Sequence, residues 1–478
     1  MAASDGQRPT WWGLGRILVV GAAGALLAAG VHPPEVALPG VDVTAPSAAV
    51  ADLSQDSRLV CPGIEVRGLS GAPDLTVRGT LAAALPPEQV LGGQNAQLSV
   101  SDGKRAVASG KAGQPISTPL LGVAPASVSG QGGSSAGLSA RQAWLVDDRG
   151  VRGLASVRCQ EPSADVWLLA GGAGVGRQER LVVANPGANA VAASIDVHGK
   201  AGVLPAASTR VTIPPGERVV RLLDALAPSE ASPAVHVRAA DGVIVATLTE
   251  VSTSGTSSGG VDTVAVSPAA ATRAVIPGVS VGAGSVVRVV APGQRPAVAS
   301  VSVAGPQGLV ALRGGSVLTV PAGGSVDLPL TGLAAGTYSV EVSADVPIIA
   351  SALGRLVSSP DADLAWASSA LPVSGVSGVT LTGAGKASVA LRAQSSVVSV
   401  TLWTVVAGVA TPRELRVPAD RVTLIPVTGA SVWLQVPSGS AVHGSVIEAD
   451  ANAPLLTSTP FVSALQAGGS MTARPAGP

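Results

Sequence analysis

A chain of 478 residues is too long for one ordinary core of roughly 100 to 200 residues, so several domains are expected. Thirty Lys and Arg side chains balance thirty Asp and Glu, and no basic tract interrupts that balance, which argues against a nucleic-acid partner. Aromatic residues make up only 2%, so packing must rely on Val, Ala and Leu.

The first clear signal along the chain is Trp11 to Val31, WWGLGRILVVGAAGALLAAGV. Arg8 and Arg16 place positive charge ahead of an uncharged run from Ile17 to Val31. This predicts a cytoplasmic N-terminus at 1–10, a transmembrane signal anchor at 11–31 and an exported body. Small residues at Ala28, Ala29 and Gly30 keep a cleaved signal peptide open as the competing reading. The Pro- and Ala-rich stretch 32–57 reads as a linker, and 466–478 as a disordered tail. A later uncharged run, Ala393 to Pro412, is dense in Val, Ser and Thr and is broken by Gly408, so it reads as strand rather than as a second span.

Cys61 and Cys159 are the two cysteines. In an exported chain an even pair predicts a disulfide, here one joining the first and last strands of a β-module over 58–162. No C-x-x-C spacing supports a redox role.

The next stretch, LVVANPGANAVAASIDVHG from Leu181 to Gly199, raises the question whether Asn185, Asp196 and His198 form a site. Shifted by 106 positions, its framework returns. Pro186 and Gly187 fall on Pro292 and Gly293, and Ser194, Ile195, Val197 and Gly199 fall on Ser300, Val301, Val303 and Gly305. The three polar candidates become Ala291, Ser302 and Ala304, so turns and apolar alternation recur while the polar groups do not. Closing hairpins are expected at Gln142–Cys159, Ala234–Thr247, Tyr338–Ser351 and Ser431–Val446, which extends the series to β-modules at 163–265, 266–370 and 371–465. Alternation of the V-x-V-x-V kind, cut by P-G, D-G and S-G turns, predicts a mainly β fold of tandem antiparallel, immunoglobulin-like sandwiches. A propeller with blades of about 45 residues is the alternative. The Gly- and Ser-rich stretches 114–140 and 252–260 read as loops within modules.

Catalytic readings are weak. Gly278, Ser280 and Gly282 match G-x-S-x-G, but a strand-like run follows where a hydrolase needs a helix, so the stretch reads as a linker between modules. GGAGVGR at 171–177 lacks both the spacing and the helix of a nucleotide loop, and GAGKAS at 383–388 lacks the phosphate-loop pattern, so no cofactor is expected. His32, His198, His236 and His443 form no ligand-spaced pair, and carboxylates cluster only as Asp147 with Asp148 and Asp361 with Asp363. Trp144, Trp167, Trp366 and Trp433 are the candidate interaction or inter-module packing residues. Trp144 with Trp433 in closing hairpins, and Trp167 with Trp366 at module starts, read as equivalent pairs, and recurrence at module edges favours packing over a sugar-stacking platform.

One apolar N-terminal segment, LVCPG, a second Cys followed by D-V-W, then L-V-V-A-N-P-G, a P-P-G-E step and an A-V-H-V-x-A hairpin together make a pattern. That pattern resembles an uncharacterised actinobacterial family of large membrane-anchored envelope proteins, from about Arg8 to Glu448. The resemblance implies an extracytoplasmic β-rich body with no established activity and transfers no catalytic residue. It points toward envelope polysaccharide assembly. The expected role is a non-enzymatic, single-pass membrane scaffold whose partners are envelope proteins or cell-wall glycan; an array of modules binding cell-wall polymer is the alternative.

Overall fold

A computed structural model describes residues 57–463 apart from 66–73, 92–95, 103–104, 121–123, 133–134, 149 and 206–207. The segments expected as a cytoplasmic N-terminus at 1–10, an anchor at 11–31 and a tail at 466–478, with nearly all of the expected linker, lie outside the described residues. Among those residues, no helix is long and apolar enough to cross a membrane.

The chain is mainly β, and among the described residues every strand pairing is antiparallel. Unit 1 holds β1 (Ser57–Cys61), β2 (Val77–Ala84), β3 (Ala96–Ser101), β4 (Ala106–Lys111), β5 (Ile116–Pro119), β6 (Ala126–Gly132), β7 (Ser139–Asp148) and β8 (Val151–Arg158). Their sheet orders are β1-β6-β3-β4 and β5-β2-β7-β8. Unit 2 holds β9 (Asp165–Leu168), β10 (Arg177–Ala184), β11 (Val191–Gly199), β12 (Gly202–Val203), β13 (Thr209–Ile213), β14 (Arg218–Leu222), β15 (Ala234–Ala239), β16 (Val245–Ser254) and β17 (Ser257–Val264). Here the orders are β12-β11-β15-β9, with β13 also on β11, and β14-β10-β16-β17.

Unit 3 holds β18 (Ala271–Val281), β19 (Val286–Val290), β20 (Ala297–Gly305), β21 (Gly308–Val310), β22 (Val317–Val320), β23 (Ser325–Pro329), β24 (Gly336–Ser358) and β25 (Asp361–Ser368). The long β24 pairs with β18 and β20 through its first half and with β19 and β25 through its second, so it serves both sheets. Unit 4 holds β26 (Gly375–Thr380), β27 (Lys386–Ala393), β28 (Val398–Val406), β29 (Val409–Val417), β30 (Thr423–Val427), β31 (Ser431–Val436), β32 (Val442–Asp450) and β33 (Leu455–Pro460), in orders β26-β31-β28-β29 and β30-β27-β32-β33. One strand order therefore occurs four times.

Alternation explains the pairs of sheets. β20 buries every second residue along most of its length, because one face packs inward and the other meets water. In each unit the inward faces enclose an apolar core, as where Leu59 and Leu98 of one sheet meet Leu81 of the other in unit 1. Cores in units 2, 3 and 4 are built likewise from Val, Ala, Ile and Leu.

The four units are not beads on a string. Their last strands β8, β17, β25 and β33 touch in the cyclic order 1, 2, 3, 4 and back to 1, so the ring closes. These strands are buried along nearly their whole length, since each is covered by neighbouring units on both faces.

Several local expectations change. The stretches 234–247 and 431–446 are not hairpins: β15 with β16, and β31 with β32, lie in different sheets, and in unit 3 the connection is the unbroken β24. Gln142–Cys159 does form a hairpin, β7 with β8. Gly278 and Ser280 lie not in a linker but within β18, which ends just before Gly282; the register shifts between Ile276 and Val279, and Gly278 adopts φ +66°. The 252–260 stretch is the β16–β17 hairpin, and 114–140 contains β5 and β6.

Cys61 at the end of β1 is bonded to Cys159 just after β8, which ties the two sheets of unit 1. Beside it Val60 and Gln160 exchange both backbone hydrogen bonds at 2.8 Å. Closing a loop of about 100 residues stabilises by up to about 4.7 kcal/mol through the unfolded chain. Reduction, or Cys61→Ser with Cys159→Ser, is expected to lower the urea midpoint measurably; an unchanged midpoint would show that the cross-link carries no stability.

Candidate functional site at the common axis

A sheet edge buried at the centre of a ring presents N–H groups that need acceptors. One side chain answers this for all four units. The Asp363 carboxylate, fully buried on β25, accepts from Leu154 N–H of unit 1 (3.0 Å), Val261 N–H of unit 2 (2.9 Å), its neighbour Leu364 N–H (2.9 Å) and Leu456 N–H of unit 4 (2.7 Å). The corresponding positions in units 1 and 2 are Gly153 and Gly260, where a Cβ would collide with the Asp363 carboxyl. Two glycines thus make room for one acid. Burial pushes the Asp363 pKa well above the usual carboxylate range, against the pull of its four N–H donors.

Two residues further along the axis Asp262 repeats the arrangement from unit 2. It accepts from Trp366 N–H at 2.6 Å, and the N–H groups of Thr263 and Ser156 face it too. Burial raises its pKa to about 8.

Next to the axis, GGAGVGR shows what its glycines do. Gly171 N–H donates to Glu250 (3.1 Å) and Gly172 N–H to Glu179 (3.0 Å), so the donors that could cradle a phosphate hold the chain's own carboxyls. Glu250 also pairs with Arg177 at 2.6 Å and accepts from the Trp366 indole at 2.7 Å. Burial, then a hydrogen bond with Asp224 and the charge of Glu250, raises the Glu179 pKa to about 9. Arg141 of unit 1 and Glu448 of unit 4, 2% and 1% exposed, form a buried ion pair at 2.5 Å that closes the ring.

The tryptophans sit at junctions, though not in equivalent places. Trp144 on β7 packs with Val251 and Val261 of unit 2. Trp433, on β31 of the opposite kind of sheet, packs against Ala84 of unit 1, and Gly378 leaves space for its ring. Trp167 lies on the first strand of unit 2 beside Val290 and Ile349 of unit 3, whereas Trp366 lies on the last strand of unit 3 within the core of unit 2. Taking sheet-crossing connections for hairpins equates Trp144 with Trp433 and shifts the count by one strand, whereas the Asp shortly ahead of each equates Trp167 with Trp366.

Asn185 is a brace: its amide donates to the carbonyls of Asn189, Ile213 and Pro214, and its oxygen accepts Gly187 N–H. His198 donates Nδ1–H to Gly323 O of unit 3 (2.8 Å) and lies against Trp167, on which His236 stacks at 4.0 Å. His236 meets Asp165 at 3.1 Å, and Asp196 accepts from Ser208 and Arg238. Asp147 and Asp361 share Arg152, and Asp148 accepts Thr76 N–H. Among the described residues, no group of three or more His, Cys, Asp or Glu is placed to hold a metal.

On the outer sheet of unit 1, a groove of about 410 Å³ is lined by Gln97, Ser99, Ser109, Lys111, Gln114 and Gln131. Cross-strand register sets Gln131, Gln97 and Lys111 in one row and Ser99 beside Ser109 in the next. Sequence reading missed this groove, because its residues are individually unremarkable and meet only through pairing.

A family of unknown function, DUF5719, has a model that matches residues 111–428, more than half of the chain. The chain belongs to this family. The DUF5719 region runs from the end of β4 to just past β30, so it contains Asp262, Asp363 and three of the four strands at the axis, but not β33. No curated protein matches the chain.

Loss of the Asp363 carboxylate orphans four buried N–H donors at about 1–3 kcal/mol each. Asp363→Ala is therefore expected to lower unfolding stability by at least about 4 kcal/mol in urea, and a wild-type midpoint would refute the role of the carboxylate. Between about pH 4 and 8 the unfolded chain ionises Asp262 while the folded chain keeps it protonated, so stability present at pH 4 is lost toward pH 8. Asp262→Asn is expected to flatten that slope in midpoints measured at pH 5 and pH 8; equal slopes would assign the dependence elsewhere.

Proposed function

We propose that the chain is a non-enzymatic scaffold or interaction protein of the bacterial cell envelope, accessory to envelope polysaccharide assembly. In this reading residues 11–31 anchor it in the membrane, and immunoglobulin-like sandwich modules at 58–162, 163–265, 266–370 and 371–465 stand outside. The observation that carries it is the use made of the converging ionisable groups. Asp363 fastens four strands, Asp262 accepts from the Trp366 N–H of the next unit, and Arg141 with Glu448 joins the first unit to the last. Such groups hold shape, and four joined units present a broad surface to partners. The disulfide and the charge asymmetry around 11–31 support an extracytoplasmic place.

Crosslinking in native membranes, with mass spectrometry of captured neighbours and of the mature N-terminus, is expected to recover envelope proteins and a retained 11–31 peptide. Repeated recovery of neither would sink this reading.

The second reading, binding of cell-wall glycan, is favoured by the groove of unit 1 with its amides, hydroxyls and one lysine. It would work through hydrogen bonds, since Trp144, Trp167, Trp366 and Trp433 are buried. Gln97→Ala with Gln131→Ala is expected to lower retention on cell-wall polymer at least tenfold, about 1.4 kcal/mol; undiminished retention would exclude the groove.

A further inference from the structure

The N–H groups on the axis come in sets two residues apart, because alternate amides of an edge strand point away from its partner. The first set, Leu154, Val261, Leu364 and Leu456, is taken by Asp363; in the second, at Ser156, Thr263 and Trp366, Trp366 N–H donates to Asp262 and the other two amides face it. A third set falls at Arg158, Ala265 and Ser368, with Pro460 in the fourth place. The flanking amides of Cys159, Ser369 and Phe461 donate back into their own sheets, which leaves the third set directed at the axis. The positions that would supply its carboxyl are Val157, Val264, Ala367 and Thr459, and none is acidic.

At that level lies a small cavity of about 10 Å³, room for one water-sized body, lined by Ser156, Arg158, Thr263, Ser368, Ser458 and Thr459 among others. The Ser156 and Thr459 hydroxyls, on residues 3% and 2% exposed, have no partner. Arg158 donates to two carbonyls, Gly378 O and Leu138 O, rather than to a carboxylate. Burial brings its pKa down only to about 10, so it stays charged at neutral pH. Arg158, Ala265, Ser458 and Pro460 are half-buried and form the mouth.

We propose that this cavity receives the carboxylate of an external ligand, one oxygen seated among the third set of amides and the Ser156 and Thr459 hydroxyls, with the rest of the ligand in the mouth. The deeper levels already show that this strand geometry takes carboxyl oxygens. The site is independent of the scaffold reading, and either can fail alone.

The test is the melting temperature of the purified full chain in sodium formate, with sodium chloride keeping ionic strength constant. Wild type is expected to gain melting temperature saturably with formate. Thr459→Val, which keeps the shape and removes one donor, should raise the half-saturating concentration about tenfold. Thr459→Asp, which supplies the carboxyl from within, should lose the response. Crystals grown in formate should show it on the axis. Absence of a saturable response, a response to chloride in place of formate, an unchanged half-saturation in Thr459→Val, or a lone water in the formate crystals would each overturn the proposal.

Discussion

The carboxylate of Asp363 is the constraint around which the rest is arranged. Four sheets that turn their open edges toward one line bury amides that no neighbouring strand can pair, and water cannot reach them. A single acid with two oxygens, each accepting twice, satisfies one N–H from each unit. This works only if the other units give way, which Gly153 and Gly260 do. Four copies of one strand order therefore could not stay identical: one had to carry the acid and others had to lose a side chain.

The same division of labour runs through the junctions. Glu250 from unit 2 takes the indole N–H of Trp366 from unit 3, Arg288 from unit 3 reaches Pro233 O of unit 2, and Ser445 from unit 4 donates to Pro277 O of unit 3. Buried charge is seldom a source of net stability, but removal of one partner is costly, so such pairs specify which unit packs where. The glycine loop at 171–177 belongs to this scheme. Its amides meet carboxyls as they would meet an anion, except that the carboxyls belong to the chain.

Much of the architecture was legible in the sequence, because alternation reports burial of one face directly. The 106-residue shift that aligns Val191–Gly199 with Ala297–Gly305 matches β11 and β20 residue for residue, and the two cysteines are bonded as an even pair predicts. Strands covered on both faces gave a poorer signal. DADLAWAS and SSGGVDTV show no alternation, and their one usable clue was an acid inside an otherwise small and apolar run. Asp361 and Asp363 stood out only as neighbours. Nothing local distinguishes a hairpin from a connection between sheets, so the tryptophans were paired wrongly. Ring closure and the groove of unit 1 depend on residues from separate strands, which no window of sequence contains.

The contact between Arg141 and Glu448 spans 307 positions and has a consequence for how the chain is made. A ribosome releases unit 1 long before Glu448 exists, so the guanidinium must wait in water while three further units appear. Final desolvation of that charge comes only with the last hairpin, β32 and β33, and pairing over so long a separation is slow. Until then every nascent molecule carries an open, amide-lined seam, and a premature encounter between two such seams would join neighbours instead of completing either one.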